Sequence, residues 1–346
     1  MLALISWVCL SQSTSFPPAD IDKLCETFMS ENHVVGMSVA VIANDRLVYA
    51  KGYGDADSKG RRASDKTIYR LGSVSKPVAA AAAMRLAEAK KLDIDADIRK
   101  YAPEFPQKKW PVTARQIMAH VSGIRHYLPG SESGITKTYT SSEAINLFAA
   151  NDLLFEPGTK RSYSTHAFTV LARAIEVAGG SPFPEQVGVI AKLAQAPTLK
   201  CEILTTVPGD RSKLFAMNAQ GVRSEYPIPE NNSWKFAGGG LESSAPDLAR
   251  FGSAMLNGRI LKRETVNEVW KSHDEIGDRD AGLGWFLIGD EQAEHGGSQQ
   301  GCRAHLRIFR KAGVVVAVLT NTSSSKNNPS ALTQAIGQRF SATSNR

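Results

Sequence analysis

The sequence predicts an α+β fold in which one sheet is assembled from both ends of the chain and a mostly helical lobe is inserted between them. Three observations predict it. Short β-rich runs lie before residue 55 and return after residue 280. The stretch from about 93 to 229 reads almost entirely as helices and turns. An alanine-rich segment after residue 74 is apolar nearly all round, which places a helix inside a core rather than on a surface.

The elements follow in chain order. The opening "MLALISWVCL" has an apolar run from Leu2 to Leu10, followed by small residues at Ser11 and Ser13. A bilayer span takes about 20 apolar residues, and the first lysine is Lys23, so no basic n-region precedes the run. Residues 1–17 are read as a signal-peptide remnant or a disordered extension. The former points to export to the periplasm or cell envelope; a cytoplasmic location is the alternative. No transmembrane segment follows. Residues 18–342 are read as a single domain, with an α/β lobe over about 20–92 plus 235–342 and the helical lobe over about 93–234.

Two β-rich runs, 37–42 and 46–52, flank the turn pair Asn44-Asp45 and predict a hairpin. Strong helix formers from 74 to 92, with Pro77 in the first turn, predict the buried helix. "TARQIMAHVSG" starts at a Thr113 cap and stops at Gly123. "SSEAINLFAAN" is capped by Ser141 or Ser142. "HAFTVLARAIEVAGG" and "EQVGVIAKLAQA" are further helices, and Ser244-x-x-Asp247 with Pro246 marks another helix start. Strands return in "GLGWFLIG", "CRAHLRIFR" and "GVVVAVLTN", and "PSALTQAIGQRF" is a closing helix.

Composition excludes some functions. The net charge of +7 is scattered, with no basic stripe interleaved with aromatics, so nucleic acid is not an expected partner. The four cysteines, Cys9, Cys25, Cys201 and Cys302, form no C-x-x-C pair, which argues against a zinc or redox motif. Cys201 and Cys302 are open to two readings, a bridge or buried free thiols. No His-Glu-x-x-His, Walker loop or Gly-x-Ser-x-Gly occurs, and no cofactor or metal is expected.

The chemistry concentrates in "RLGSVSKP". Ser-x-x-Lys occurs twice, at Ser73…Lys76 and at Ser323…Lys326, the latter in a polar loop with no partners. Residues three apart share a helix face, so Ser73 and Lys76 point together, whereas Ser75 is turned about 100° away. A serine hydroxyl needs a base to become a nucleophile, and a lysine whose charge is disfavoured supplies one. The helix start also offers unused N–H groups. The competing reading makes Ser73 a plain N-cap and Lys76 a solvated side chain. "FEPGTKRSYST" brings Tyr163, suited to relaying protons or simply a packed tyrosine. "EHGGSQQG" brings His295, the glycines Gly296 and Gly297, which allow close backbone approach, and a Ser298 N–H suited to an oxyanion. A tight turn with a solvated His295 is the competing reading there. His120 and Ser122 are read as structural.

Ser73-x-x-Lys76, Tyr163-Ser164-Thr165 and His295-Gly296-Gly297, in this order, resemble the active-site boxes of the serine β-lactamase and penicillin-binding-protein superfamily, in its class C-related branch. "YAPEFP", "HVSGIRHY", "FEPGTKRSYST" and "NNSWKFAGGGLESSAPDLARFGSAML" are similar to the mitochondrial serine β-lactamase-like, peptidase-related members. The resemblance runs from about residue 35 to 323. It implies a β-lactamase/transpeptidase-like fold, with an antiparallel sheet flanked by helices and a cleft against the helical lobe. It implies an acyl-enzyme on Ser73, with Lys76 as general base and Tyr163 as proton relay. The N–H groups of Ser73 and Ser298 would hold the oxyanion, and His295 and Gly297 would line the substrate strand. The second box usually ends in Asn rather than Thr165, and the third is usually Lys-Thr-Gly. Loss of that lysine argues against efficient β-lactam turnover and for a peptidase, amidase or esterase acting on a small peptide, amide or ester. The alternatives are a true β-lactamase, a D-Ala-D-Ala-type peptidase, or a non-catalytic binding or assembly module. Filament-forming relatives bring self-assembly into view.

Overall fold

A computed structural model describes residues 18–344 apart from 129–131, 133, 207, 219, 273–280 and 325–326. The apolar run at 2–10, Cys9 and Lys326 lie outside the described residues, as does the export reading that rests on the first.

The chain enters through helix α1 (Pro18–Asn32) and the hairpin β1 (Gly36–Ala43) and β2 (Arg46–Gly54). Asn44 and Asp45 both take positive φ, 48° and 62°, as a two-residue hairpin turn requires. Strand β3 (Tyr69–Arg70) leads through a 3-10 turn, Gly72–Val74, into α2 (Ser75–Glu88). The inserted segment carries α3 (Ala114–Met118), α4 (Ser141–Ile145), α5 (Thr165–Gly179) and α6 (Phe183–Ala194), then the short strands β4 (Lys200–Cys201), β5 (Phe215–Met217) and β6 (Arg223–Glu225). Next come α7 (Phe236–Gly239), β7 (Leu241–Ser243), α8 (Ala245–Leu256) and α9 (Arg263–Val269). The chain closes with β8 (Phe286–Ile288), β9 (Gln292–Gln299), β10 (Cys302–Phe309), β11 (Val314–Thr320), β12 (Thr322–Ser323) and α10 (Ser330–Ser344).

The main sheet has the order β2-β1-β11-β10-β9-β8, every neighbour antiparallel. Strands from the two chain ends meet at Met37 opposite Thr320. Both sheet faces are covered, so β1 is buried at seven consecutive positions instead of alternating. Val39, Val41, Val314, Val316 and Val318 meet Ile21, Leu332 and Ile336 of α1 and α10. Ala40, Ile42, Val315 and Ala317 belong to the larger core on the other face, with α2, α5 and α8. Ala79–Ala83 of α2 are all at most 3% exposed, as the all-round apolar pattern requires.

Several predicted boundaries move. The helix expected to reach Gly123 stops at Met118, because His120 takes a left-handed φ of 61°. The α4 cap is Thr140, one residue earlier than read, in a box with Glu143. "GLGWFLIG" contributes only three strand residues, and helices α1 and α9 were not read from sequence. Cys201 and Cys302 are buried free thiols, not a bridge. Among the described residues no helix is long and apolar enough to cross a membrane, and no group of three potential ligands could hold a metal ion.

Candidate functional site

Ser73 sits in the 3-10 turn that opens α2, and no side-chain cap bond is made at either helix start, so the N-cap reading fails. Ser75 is the structural serine. Its hydroxyl donates to Gly72 O at 2.7 Å and accepts Leu241 N–H at 3.1 Å, tying the turn to β7.

Lys76 is fully buried, contrary to the solvated reading. Its Nζ lies 2.6 Å from Gly238 O, 3.2 Å from Thr165 Oγ1 and 3.3 Å from Ser73 Oγ. Burial above all, and then the charge of Lys235, hold its pKa well below the ordinary lysine value. The Gly238 contact depends on its lacking a side chain: a Cβ there would lie 2.6 Å from Thr165 Cγ2. Sequence reasoning gave neither Gly238 nor Thr165 this contact. The run Gly238-Gly239-Gly240 between apolar segments was the available signal.

Tyr163 precedes α5, whose start is fixed by Ser164 accepting Ala167 N–H at 3.0 Å. Its ring lies 4.6 Å from Lys76 Nζ, and its hydroxyl is near Ser73. Burial first raises the phenol pKa, so it stays protonated at neutral pH. His120 packs under it, ring centroids 4.4 Å apart, and accepts Ser164 N–H on Nδ1 at 3.3 Å. His126 Nδ1 likewise accepts Thr165 N–H at 3.1 Å, a role not read from sequence.

"EHGGSQ" is strand, not turn. Within β9, His295, Gly297 and Gln299 alternate with Gly296 and Ser298. Gly297 packs so tightly on the nucleophile turn that a Cβ would meet Leu71 O at 2.0 Å and Ser73 N at 3.2 Å. A Cβ on Gly72, which takes φ 51°, would lie 2.8 Å from Ser298 N. Ser73, Gly296, Gly297, Ser298, Arg303 and Asn327 line a cleft of about 350 Å³. His295 is 2% exposed rather than solvated; Nδ1 lies 2.7 Å from Gly296 O. Burial, then the Lys76 charge, press its pKa down to about 3, so the ring is neutral.

The structure thus brings Ser73, Lys76, Tyr163 and Thr165 into mutual contact and sets Gly297 and Ser298 against them. His295 stands behind, its ring centroid 6.4 Å from that of Tyr163. The set offers a hydroxyl, a buried amine, a protonated phenol and closely apposed backbone N–H groups, which are the parts acyl transfer needs.

The chain is similar to known proteins over most of its length. The model of the family described as Beta-lactamase matches residues 21–338. The chain is 28% identical over 293 residues to the human Serine beta-lactamase-like protein LACTB, mitochondrial, covering 64% of this chain and 53% of that protein. It therefore spans about half the length of that relative. It is 26% identical over 361 residues to Esterase EstB of Burkholderia gladioli, covering 88% and 90%. The octameric penicillin-binding protein homologue from Pyrococcus abyssi superposes with a TM-score of 0.79 at 23% identity, covering 94% of this chain and 78% of that one.

Proposed function

Since the chain belongs to the Beta-lactamase family, we propose that it is a serine hydrolase that forms an acyl-enzyme on Ser73 and acts on a peptide, amide or ester. The observation that carries the proposal is the hydrogen-bonding of Lys76. A neutral amine has two N–H bonds and one lone pair. With Gly238 O and Thr165 Oγ1 taking the two N–H bonds, the lone pair is left for the Ser73 hydroxyl proton. Burial, with the Lys235 charge, disfavours the ammonium form and so favours that neutral amine.

In the proposed sequence Lys76 takes the Ser73 proton as Oγ attacks the substrate carbonyl. The N–H groups of Ser73 and Ser298 hold the resulting oxyanion. Tyr163 passes a proton to the leaving group as the carbonyl–leaving-group bond breaks. Water then attacks the ester, losing its proton by the reverse route, and frees Ser73. Gly297 lets the substrate strand come close, and His295, neutral and buried, closes the end of the site without a permanent cation. That last point leaves the β9 end of the site without the charge that would hold a β-lactam's carboxylate there. EstB bears the name esterase, which supports the ester side of the proposal. The octameric relative extends it to self-association, measurable by light scattering.

A fluorophosphonate probe with intact-mass analysis tests the reading. One label on the parent and none on Ser73→Ala is expected; equal labelling of both overturns it. p-Nitrophenyl esters and peptide amides should turn over only with the parent, whereas fast nitrocefin hydrolysis would make a true β-lactamase of it.

A further inference from the structure

Lys235 ends the 3-10 turn Ser233–Lys235 just before α7. The side chain is 7% exposed, yet no hydrogen bond or ion pair of its ammonium is found among the described residues. Instead Nζ lies 4.8 Å from the ring centroid of Trp234 and 5.6 Å from that of Tyr127. Burial above all lowers its pKa; Glu230 and Glu202 oppose that and Arg70 adds to it, and both carboxylates are committed elsewhere. Glu202 holds Arg70 Nε at 2.8 Å and Asn232 Nδ2 at 2.7 Å. Glu230 accepts Gly134 N–H at 2.8 Å. A buried cation without a hydrogen-bonded counter-ion costs free energy unless something completes it.

Its position says where the completing group would come from. At Gly239 a Cβ would lie 3.8 Å from Lys235 Cδ and 3.8 Å from the carbonyl carbon of Gly72, the residue before Ser73. Gly239 follows Gly238, whose carbonyl takes Lys76. Tyr127, which faces Lys235, also packs on His126, ring centroids 3.9 Å apart, and His126 lies edge-on to Tyr163 at 5.6 Å. Lys235 therefore stands on the Gly239 side of the Ser73 turn, near enough for its charge to reach Lys76.

The geometry points to Lys235 as the residue that selects substrates carrying a carboxylate, which pairs with its ammonium while the carbonyl under attack lies on Ser73. The inference rests on the hydrolase reading of the same cleft. The aromatic faces of Trp234 and Tyr127 hold the ammonium in place without satisfying its hydrogen-bonding capacity, so a carboxylate meets a cation already oriented.

Two esters that differ only by a terminal carboxylate in place of a hydrogen test it: mono-p-nitrophenyl glutarate and p-nitrophenyl butyrate. Lys235→Met should lower kcat/KM for the glutarate ester roughly 10- to 100-fold more than for the butyrate ester, the range of a charged hydrogen bond, any loss common to both reporting the Lys235 charge on Lys76, with Lys235→Arg recovering part of the difference. Equal effects on both esters overturn the inference and leave the hydrolase reading standing. Binding separates the two readings: Ser73→Ala protein, which cannot turn over, should bind glutaramate more tightly than butyramide by calorimetry, and lose that preference in the Ser73→Ala, Lys235→Met double variant. Equal binding overturns the inference even if both esters are cleaved; a Lys235-dependent preference without cleavage upholds it and removes the hydrolase reading. If Lys235→Met fails to fold, competition of glutarate against p-nitrophenyl butyrate in the parent and in Lys235→Arg decides, and no competition counts against it.

Discussion

In the proposed mechanism Lys76 sets the rate, and its burial ties it to stability as well. A base that must be neutral gives a rate that rises with pH through its pKa. That pKa is held far below the ordinary lysine value by burial and then by Lys235, so the acid limb of kcat/KM should lie well below pH 10. Lys76→Ala should cost about 10²–10⁴-fold in kcat, the usual worth of a general base. The same shift has a stability sign. The unfolded chain protonates Lys76 more readily than the native one, so native stability rises with pH until the unfolded-state value near 10.4 is passed. Lys76→Met removes this dependence. Its Tm relative to the parent should therefore be more favourable at pH 7 than at pH 10, and a pH-independent difference would contradict the neutral amine.

Among the elements, β9 is the one whose backbone the site needs most. Gly297→Ala would drive a methyl into Leu71 O and push the strand off the Ser73 turn. Probe labelling should fall by at least about tenfold while far-UV dichroism stays near that of the parent. This strand was also the least legible in the sequence. Glycines at 296 and 297 depress strand propensity, and only pairing with the apolar β10 makes a strand of them. By contrast, β1, β2, β10 and β11 were legible because β-branched runs and a turn pair describe them locally, and α2 because its alanines leave no polar face. Ser73 and Lys76 could be paired from helical geometry alone. The contacts of Lys76 with Gly238 and Thr165 could not, since they join residues 162 and 89 positions away. Helix α1 escaped notice because its apolar side is narrow, with Ile21 and Cys25 its buried residues. It is pinned by Asp22, which accepts hydrogen bonds from Tyr49 at 2.6 Å, Tyr53 at 2.7 Å and Lys51 at 2.9 Å. The Tyr49 bond foremost lowers the Asp22 pKa to about 2. Its contribution is present above the unfolded carboxylate value near 3.9 and fades as pH falls through 2. Asp22→Asn should cost about 1–3 kcal/mol in urea melts at pH 7 and little at pH 2.

At the scale of the whole molecule, one buried ion pair ties distant segments together. Arg70 donates to Glu202 at 2.8 Å, to Glu230 O at 2.7 Å and to Gln300 O at 3.4 Å, and Glu202 also holds Asn232. It thereby links the strand before Ser73, the segment after β4, the approach to Lys235 and the turn after β9. Both side chains of the pair are 2% exposed, so removing one strands the other in the interior. Glu202→Ala should destabilise the protein by about 3–5 kcal/mol in chemical denaturation. Replacing both residues with Met and Leu should cost less than the single change, the reverse of what an exposed pair would show.

The interleaving of β1 with β11 has a consequence for how the protein comes into being. The ribosome releases β1 and the nucleophile turn early, but Ser298 on β9 follows Ser73 by 225 residues and Thr320 on β11 follows its partner Met37 by 283. Until then the edge of β1 that β11 will pair stays open, a site for mispairing in the nascent chain. No nascent fragment can hold a working site, because the backbone facing Ser73 has not yet been made. Stalled chains ending before β9 should take no active-site probe, however long they are left, and reactivity should appear in a single step as the final strands leave the exit tunnel.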